Sequence, residues 1–124
     1  MMEAAPSTRF AQKNVLITGA AAGLGRHIAR AFAAEGADIA ILDFQDASAT
    51  VREITALGRR SEFFWSDVRD EDGVKTAVAG AAEFFGGRID VLVKNAAAMP
   101  FLCSVDASAM TGQAINVTGG FIMT

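Results

Sequence analysis

Tyrosine is absent from this sequence, and cysteine and histidine occur once each. A lone Cys103 cannot close an internal disulfide, and the cytoplasm is the expected compartment. The single histidine, His27, falls inside a helical pattern with no acid partner in view. A Cys–His nucleophile pair is therefore not expected. One histidine and one cysteine do not furnish a zinc site, so no metal is expected. An excess of positive charge is also missing: 11 Lys and Arg stand against 14 Asp and Glu, for a net charge of −3. With a pI of about 5.0, neither nucleic acid nor an anionic membrane surface is an expected partner. No apolar run reaches the roughly 18 residues a membrane-spanning helix needs. Met1 to Phe10 lack the basic segment and apolar core of a signal peptide. What is present is an alanine-rich chain, 52% apolar, of a length that suits one globular domain.

The stretch that organises the rest is Asn14 to Gly25. Val15, Leu16 and Ile17 suit a buried parallel strand. Thr18 and Gly19 break that run, and beyond Gly25 the spacing turns helical at Leu24, Ile28, Ala31 and Phe32. Strand, glycine turn and helix make a phosphate-binding arrangement. Glycines let the backbone turn sharply and approach a ligand, and the helix start offers unpaired N–H groups with a partial positive charge. Ala20, Ala21 and Ala22 leave room above the turn. The glycines, Gly19, Gly23 and Gly25, are spaced Gly-x3-Gly-x-Gly, unlike the Gly-x-Gly-x2-Gly dinucleotide fingerprint. No Lys-Ser/Thr pair follows them, which argues against a nucleoside-triphosphatase loop.

Residues 1–12 read as a loose leader, and 13–124 as the domain. The first strand is expected over 14–18 and the first helix over 24–35, closed by Gly36. Ile39 to Leu42 form a second strand stopped by Asp43. A second helix follows with Asp46 or Ser48 as cap, Val51, Ile54 and Leu57 as its apolar positions, and Gly58 at its end. Phe63 to Trp65 give a third strand ending at Asp67. Asp70 caps a third helix carrying Val74, Ala77, Val78, Ala81, Phe84 and Phe85. Ile89 to Val93 form a fourth strand, and Asn95 begins a loop. From Asp106 onward a fourth helix is expected. Alternating strands and helices call for parallel pairing with right-handed crossovers. The glycine turn makes the first strand the switch point, so the expected architecture is a Rossmann-like doubly wound α/β sheet in the order 3-2-1-4. A sheet ending at strand four would leave one flank open, and self-association through that edge is expected.

Ligands of such a sheet bind at the carboxyl ends of its strands, and Gly19, Asp43, Asp67 and Asn95 end the four strands there. Asp43 can accept hydrogen bonds from ribose hydroxyls. A 2′-phosphate at that spot would meet a like charge, and Ala22 supplies no compensating cation, which favours NAD over NADP.

Together these positions resemble the short-chain dehydrogenase/reductase family. Thr18, Gly19, Gly23 and Gly25 match its glycine motif, and Asp43 falls on its NAD-selecting acid. Asp67-Val68 falls on its adenine-side Asp-Val pair, and Asn95-Ala96 on the core of its Asn-Asn-Ala-Gly motif. The resemblance implies cofactor contacts at Gly19, Ala21, Gly23, Leu24, Gly25, Asp43, Phe44, Asp67, Val68, Asn95, Ala96 and Ala97. It also implies that Asn116, in the fourth helix, is the family's catalytic Asn, which holds a water near the active-site lysine.

Two positions depart from the pattern, Lys94 for the first Asn and Ala97 for the Gly. Lys94 either snorkels to the edge or disturbs the strand-four turn. The family's catalytic Ser and Tyr-x3-Lys have no counterpart here. The resemblance therefore implies the NAD-binding half of an oxidoreductase acting on alcohols or ketones, inactive without the remaining half. The alternative is a non-catalytic nucleotide-binding or interaction module that has kept the fold.

Overall fold

The computed structural model describes residues 9–67, 69–95 and the backbone of 110–116. Along the chain run β1 (Asn14–Thr18), α1 (Gly23–Ala34), β2 (Asp38–Asp43), α2 (Ser48–Ala56), β3 (Ser61–Trp65), α3 (Glu71–Phe84), β4 (Ile89–Lys94) and β5 (Met110–Asn116). All pairings are parallel, in the order β3-β2-β1-β4-β5. The 3-2-1-4 order expected from the glycine turn is therefore present.

Alternation along the strands divides the core into two layers. Val15 and Ile17 of β1 face the same way as Ile39 and Ile41 of β2, and pack against Ala29 and Ala33 of α1 and Ile54 of α2. Leu16, Ala40, Leu42 and Leu92 point to the opposite side, onto Val74, Ala77, Val78 and Ala81 of α3. β1 and β2 are covered on both faces, which is why they read as continuous apolar runs. Of the Leu24, Ile28, Ala31 and Phe32 stripe expected from the sequence, Ile28 and Phe32 pack half-buried against the core, and the other two do not. Gly25, Ala29 and Ala33 are the buried residues of α1, while Leu24 and Ala31 are exposed. Small residues one turn apart bring the helix axis close to the sheet, and Leu24 is left free at the ligand edge.

Helix ends follow the chemistry of their caps. The Asp70 carboxylate accepts the Gly73 N–H at 3.2 Å, and Asp46 accepts the Ser48 N–H at 3.0 Å. Gly36 closes α1 with φ +104°. Residues 9–12, the last part of the expected leader, are fastened to that end of α1. The Phe10 ring meets Phe32 edge-on at 4.9 Å, the Phe10 N–H donates to the Glu35 carbonyl, and Arg9 forks onto the Glu35 carboxylate. Residues 1–8 lie outside the described residues.

One element contradicts the sequence reading. The segment expected as a fourth helix is instead the strand β5, paired with β4 from Met110 opposite Ile89 to Asn116 opposite Lys94. The physical reasons are local and tertiary together. Gly112 is a poor helix former, while Thr111 and Ile115 are β-branched and favour strands. Without β5, the backbone groups along the outer side of β4 would have no partner. Between Ile89 and Val91 the register shifts, so that Gln113 rather than Thr111 or Gly112 lies opposite Val91. The extra residue makes a bulge beside Gly112. The flank of strand four is thus covered, and the edge of the sheet on that side is β5.

Candidate functional site

Between β1 and α1 the chain makes the turn 19–25 at the carboxyl edge of the sheet. Gly19 and Gly23 have φ of +75° and +63°, a region that side chains with a Cβ rarely adopt. Gly25 is required for a different reason. A Cβ there would stand 2.1 Å from the Gly19 carbonyl oxygen and 2.6 Å from Asn95 Nδ2.

Neighbouring elements fix this turn from several sides. The Gly19 N–H continues the β1–β2 ladder by donating to the Leu42 carbonyl at 2.8 Å. Asn95, at the end of β4, donates its side-chain amide to the Gly19 carbonyl at 3.0 Å. Its backbone N–H donates to Thr18 Oγ1, also at 3.0 Å. Asp43 closes β2, and its carboxylate accepts the Ala21 N–H at 2.9 Å and the Gln45 N–H at 3.0 Å. From α2 the Thr50 hydroxyl donates to the Ala20 carbonyl at 2.9 Å. Glycine turn, Asp43 and Asn95 therefore form one hydrogen-bonded unit.

Thr50 was not singled out by the sequence reading. Its signal is a polar, β-branched residue one position before the half-buried Val51 of a short helix, where a residue of higher helix propensity is the usual choice. It is fully buried. Thr50→Val keeps the shape and strands the Ala20 carbonyl, and is expected to cost about 1–3 kcal/mol. Thermal or denaturant unfolding measures it.

The amino end of α1 differs from that of α3. Its cap residue, Ala22, makes no side-chain capping bond, and its first turn carries no acidic residue. The α3 start has Asp70, Glu71 and Asp72. The α1 start thus keeps N–H groups and partial positive charge facing the turn, suited to an anion. Three of the four exposed large apolar side chains among the described residues, Leu24, Phe44 and Trp65, lie at this same edge.

The other sequence-derived positions are placed less uniformly. The Asp67 carboxylate, after β3, is held by its neighbour: Arg69 forks onto it at 3.1 and 2.9 Å and adds its backbone N–H at 2.9 Å. These bonds and the nearby guanidinium lower its pKa to about 2 from the ordinary 3.8. Its contribution to stability is therefore complete above about pH 4 and is lost as pH falls through 2. Arg69→Ala is expected to return the Asp67 titration toward 3.8, read from its carboxyl carbon resonance. An unchanged titration would contradict the pairing. Lys94 is the half-buried last residue of β4, opposite Thr18 and Asn116. Asn116 stands at the end of β5 rather than in a helix. Val68, Ala96 and Ala97 lie outside the described residues.

The sequence profile of the short chain dehydrogenases matches residues 13–124. The chain belongs to the short-chain dehydrogenase family. An L-rhamnose 1-dehydrogenase (NAD(P)(+)) of a Sphingomonas species is 38% identical over 117 residues, 90% of this chain and 46% of the relative. Among solved structures, the carveol dehydrogenase of Mycobacterium avium in complex with NAD has a TM-score of 0.69 at 35% identity, over 73% of this chain and 37% of its own. A Burkholderia cenocepacia short-chain dehydrogenase in complex with NADP has a TM-score of 0.68 at 44% identity, over 71% of this chain and 37% of its own. This short-chain dehydrogenase sequence thus spans less than half the length of these relatives. No helix among its described residues is long and apolar enough to cross a membrane.

Proposed function

We propose that the chain is the dinucleotide-binding half of an NAD-dependent oxidoreductase that interconverts an alcohol and its carbonyl compound. The observation that carries the reading is the Asp43 carboxylate, anchored by the Ala21 N–H at the carboxyl edge. A carboxylate offers about four acceptor positions, and two are filled by Ala21 and Gln45. Those that remain suit the vicinal hydroxyls of an adenosine ribose. The turn around Gly19, Ala21, Gly23, Leu24 and Gly25, with the uncapped start of α1, would hold the pyrophosphate. Nothing lies within 4 Å of a Cβ added at Gly23, which leaves room beside the turn for that group. Asn95 would act by keeping the turn in place.

Relatives carry NAD, NADP or either in their names, so the choice between the two rests on charge. Asp43 would meet a 2′-phosphate with a like charge, a clash of several kcal/mol. The Arg26 guanidinium is already spent on the Glu53 carboxylate. Arg30 sits 3.7 Å from that same carboxylate.

When bound, a nicotinamide dinucleotide supplies or accepts the hydride. Proton transfer at the substrate oxygen needs a placed acid, and these 124 residues contain no tyrosine. Turnover is therefore assigned to the protein only together with the family's Ser and Tyr-x3-Lys. A second reading, a nucleotide-binding module without catalysis, rests on Lys94 and Ala97, which depart from the family's motif.

Calorimetric titration with NAD and NADP tests the proposal. Binding of NAD at least about tenfold tighter than NADP is expected, and tighter NADP would overturn it. An NADH-linked assay separates the two readings: turnover of an alcohol once the family's C-terminal half is supplied favours the enzyme, and none favours the module.

A further inference from the structure

Trp65 ends the edge strand β3, and its backbone lies in register with Asp43. It is 63% exposed, and Phe44, immediately after Asp43, is 61% exposed. Two large aromatic side chains left in water beside a ribose-gripping carboxylate need a reason, because such surface is usually buried or occupied. They are also linked. The Trp65 indole N–H donates to the Phe44 carbonyl oxygen at 2.8 Å, and the Ser66 N–H donates to the Asp43 carbonyl at 2.9 Å. The end of β3 thus grips both residues of the turn that carries the selecting carboxylate. The indole bond is the outer of the two ties. Beyond it the turn is held by the Asp43 carboxylate closing onto the Gln45 N–H.

We propose that Trp65 is a positioning residue for NAD selection, acting through the Phe44 carbonyl to hold the Asp43–Phe44 turn as the adenosine-side lip of the site. The inference rests on the dinucleotide reading above. The lip so formed is chemically one-sided. The Phe44 side chain has no donor, the indole N–H is already spent on a backbone oxygen, and Asp43 is an acceptor. A ribose with free hydroxyls finds acceptors there, and a 2′-phosphate finds a like charge and no free side-chain donor. Loosening the turn moves the carboxylate and lets the phosphate pass, so the tie matters more to NAD than to NADP.

Trp65→Phe keeps a ring and deletes the donor. In calorimetry on the full chain it is expected to weaken NAD about five- to tenfold, the worth of one hydrogen bond, and to leave NADP nearly unchanged. The ratio of the two affinities narrows accordingly. A merely structural role would lower the melting temperature and weaken both ligands in proportion, which would overturn the proposal. Equal affinities in variant and parent would do so as well. Trp65 is the only tryptophan, so the unmodified chain provides a second readout that needs no variant. Adenosine monophosphate is expected to shift its emission, and nicotinamide mononucleotide is not. Calorimetrically saturating NAD with unchanged emission would overturn the proposal and leave the dinucleotide reading standing. No calorimetric binding of NAD at all would remove both.

Discussion

Gly25→Ala is expected to abolish dinucleotide binding while most of the sheet survives. The new methyl group would stand 2.1 Å from the Gly19 carbonyl oxygen, 2.8 Å from its carbon and 2.6 Å from Asn95 Nδ2. None of these is the yielding tip of a flexible chain. Two belong to backbone in a turn with φ +75°, and the third is an amide held on that same carbonyl. Relief requires α1 to back away from the turn and the Asn95 bond to break. Overpacking of this kind costs about 1–3 kcal/mol, and the lost hydrogen bond adds about 1 kcal/mol. The affinity loss is expected to reach about a hundredfold or more, since about 1.4 kcal/mol corresponds to tenfold. Gly58→Ala is the control. Its φ is +87°, but nothing lies within 4 Å of the added group, and it sits at the far end of α2. It is expected to cost about 1 kcal/mol of stability and to leave binding untouched.

Asp43→Ala is expected to have the second largest effect, and to act in two ways at once. The Asp43 side chain is almost wholly buried, so removing its carboxylate leaves the Ala21 N–H without its partner. A hydrogen bond to a charged group is worth about 1.5–3 kcal/mol, and unfolding measurements should show a loss of that order. NAD loses its ribose acceptors as well, and its affinity is expected to fall about a hundredfold. NADP, freed from the like charge, is expected to fall much less, so the preference narrows or inverts. Asp43→Asn separates the two contributions. Its amide oxygen still accepts the Ala21 N–H, so most of the stability is expected to remain while the preference for NAD shrinks. Retained strong preference in Asp43→Asn would show that charge is not the selector.

Much of this fold is legible from local chemistry, and particular residues show why. β1 is apolar from Val15 to Ile17 because both faces are covered, and it ends where Gly19 turns with positive φ. Asp70 caps α3 because a short carboxylate at the start of a helix reaches the free N–H groups two or three residues on, as its bond to Gly73 shows. The strand order follows from one turn, since the switch point is set where the glycines lie.

What escaped the sequence was decided by tertiary context. Spacing alone favours Leu24 and Ala31 for the seam of α1, yet close approach to the sheet selected Gly25, Ala29 and Ala33. The segment around Gln113 has no strong periodicity of its own, and the open side of β4 drew it into a strand. Within the site, the glycines and Asp43 stand out by type and spacing. Thr50 does not, because a threonine in a helix looks ordinary until its hydroxyl is seen on the Ala20 carbonyl. Nor did Asp67 reveal that Arg69, two residues away, already occupies its carboxylate.

The central claim is that a dinucleotide's pyrophosphate sits on the start of α1 while its ribose meets Asp43. Amide chemical-shift mapping of the isotope-labelled chain during an NAD titration tests it most directly. Saturable shifts are expected at Gly19, Ala21, Leu24 and Gly25 and at Asp43 and Phe44. Saturating NAD that leaves those amides unmoved, or moves only residues at the amino ends of the strands, would contradict it.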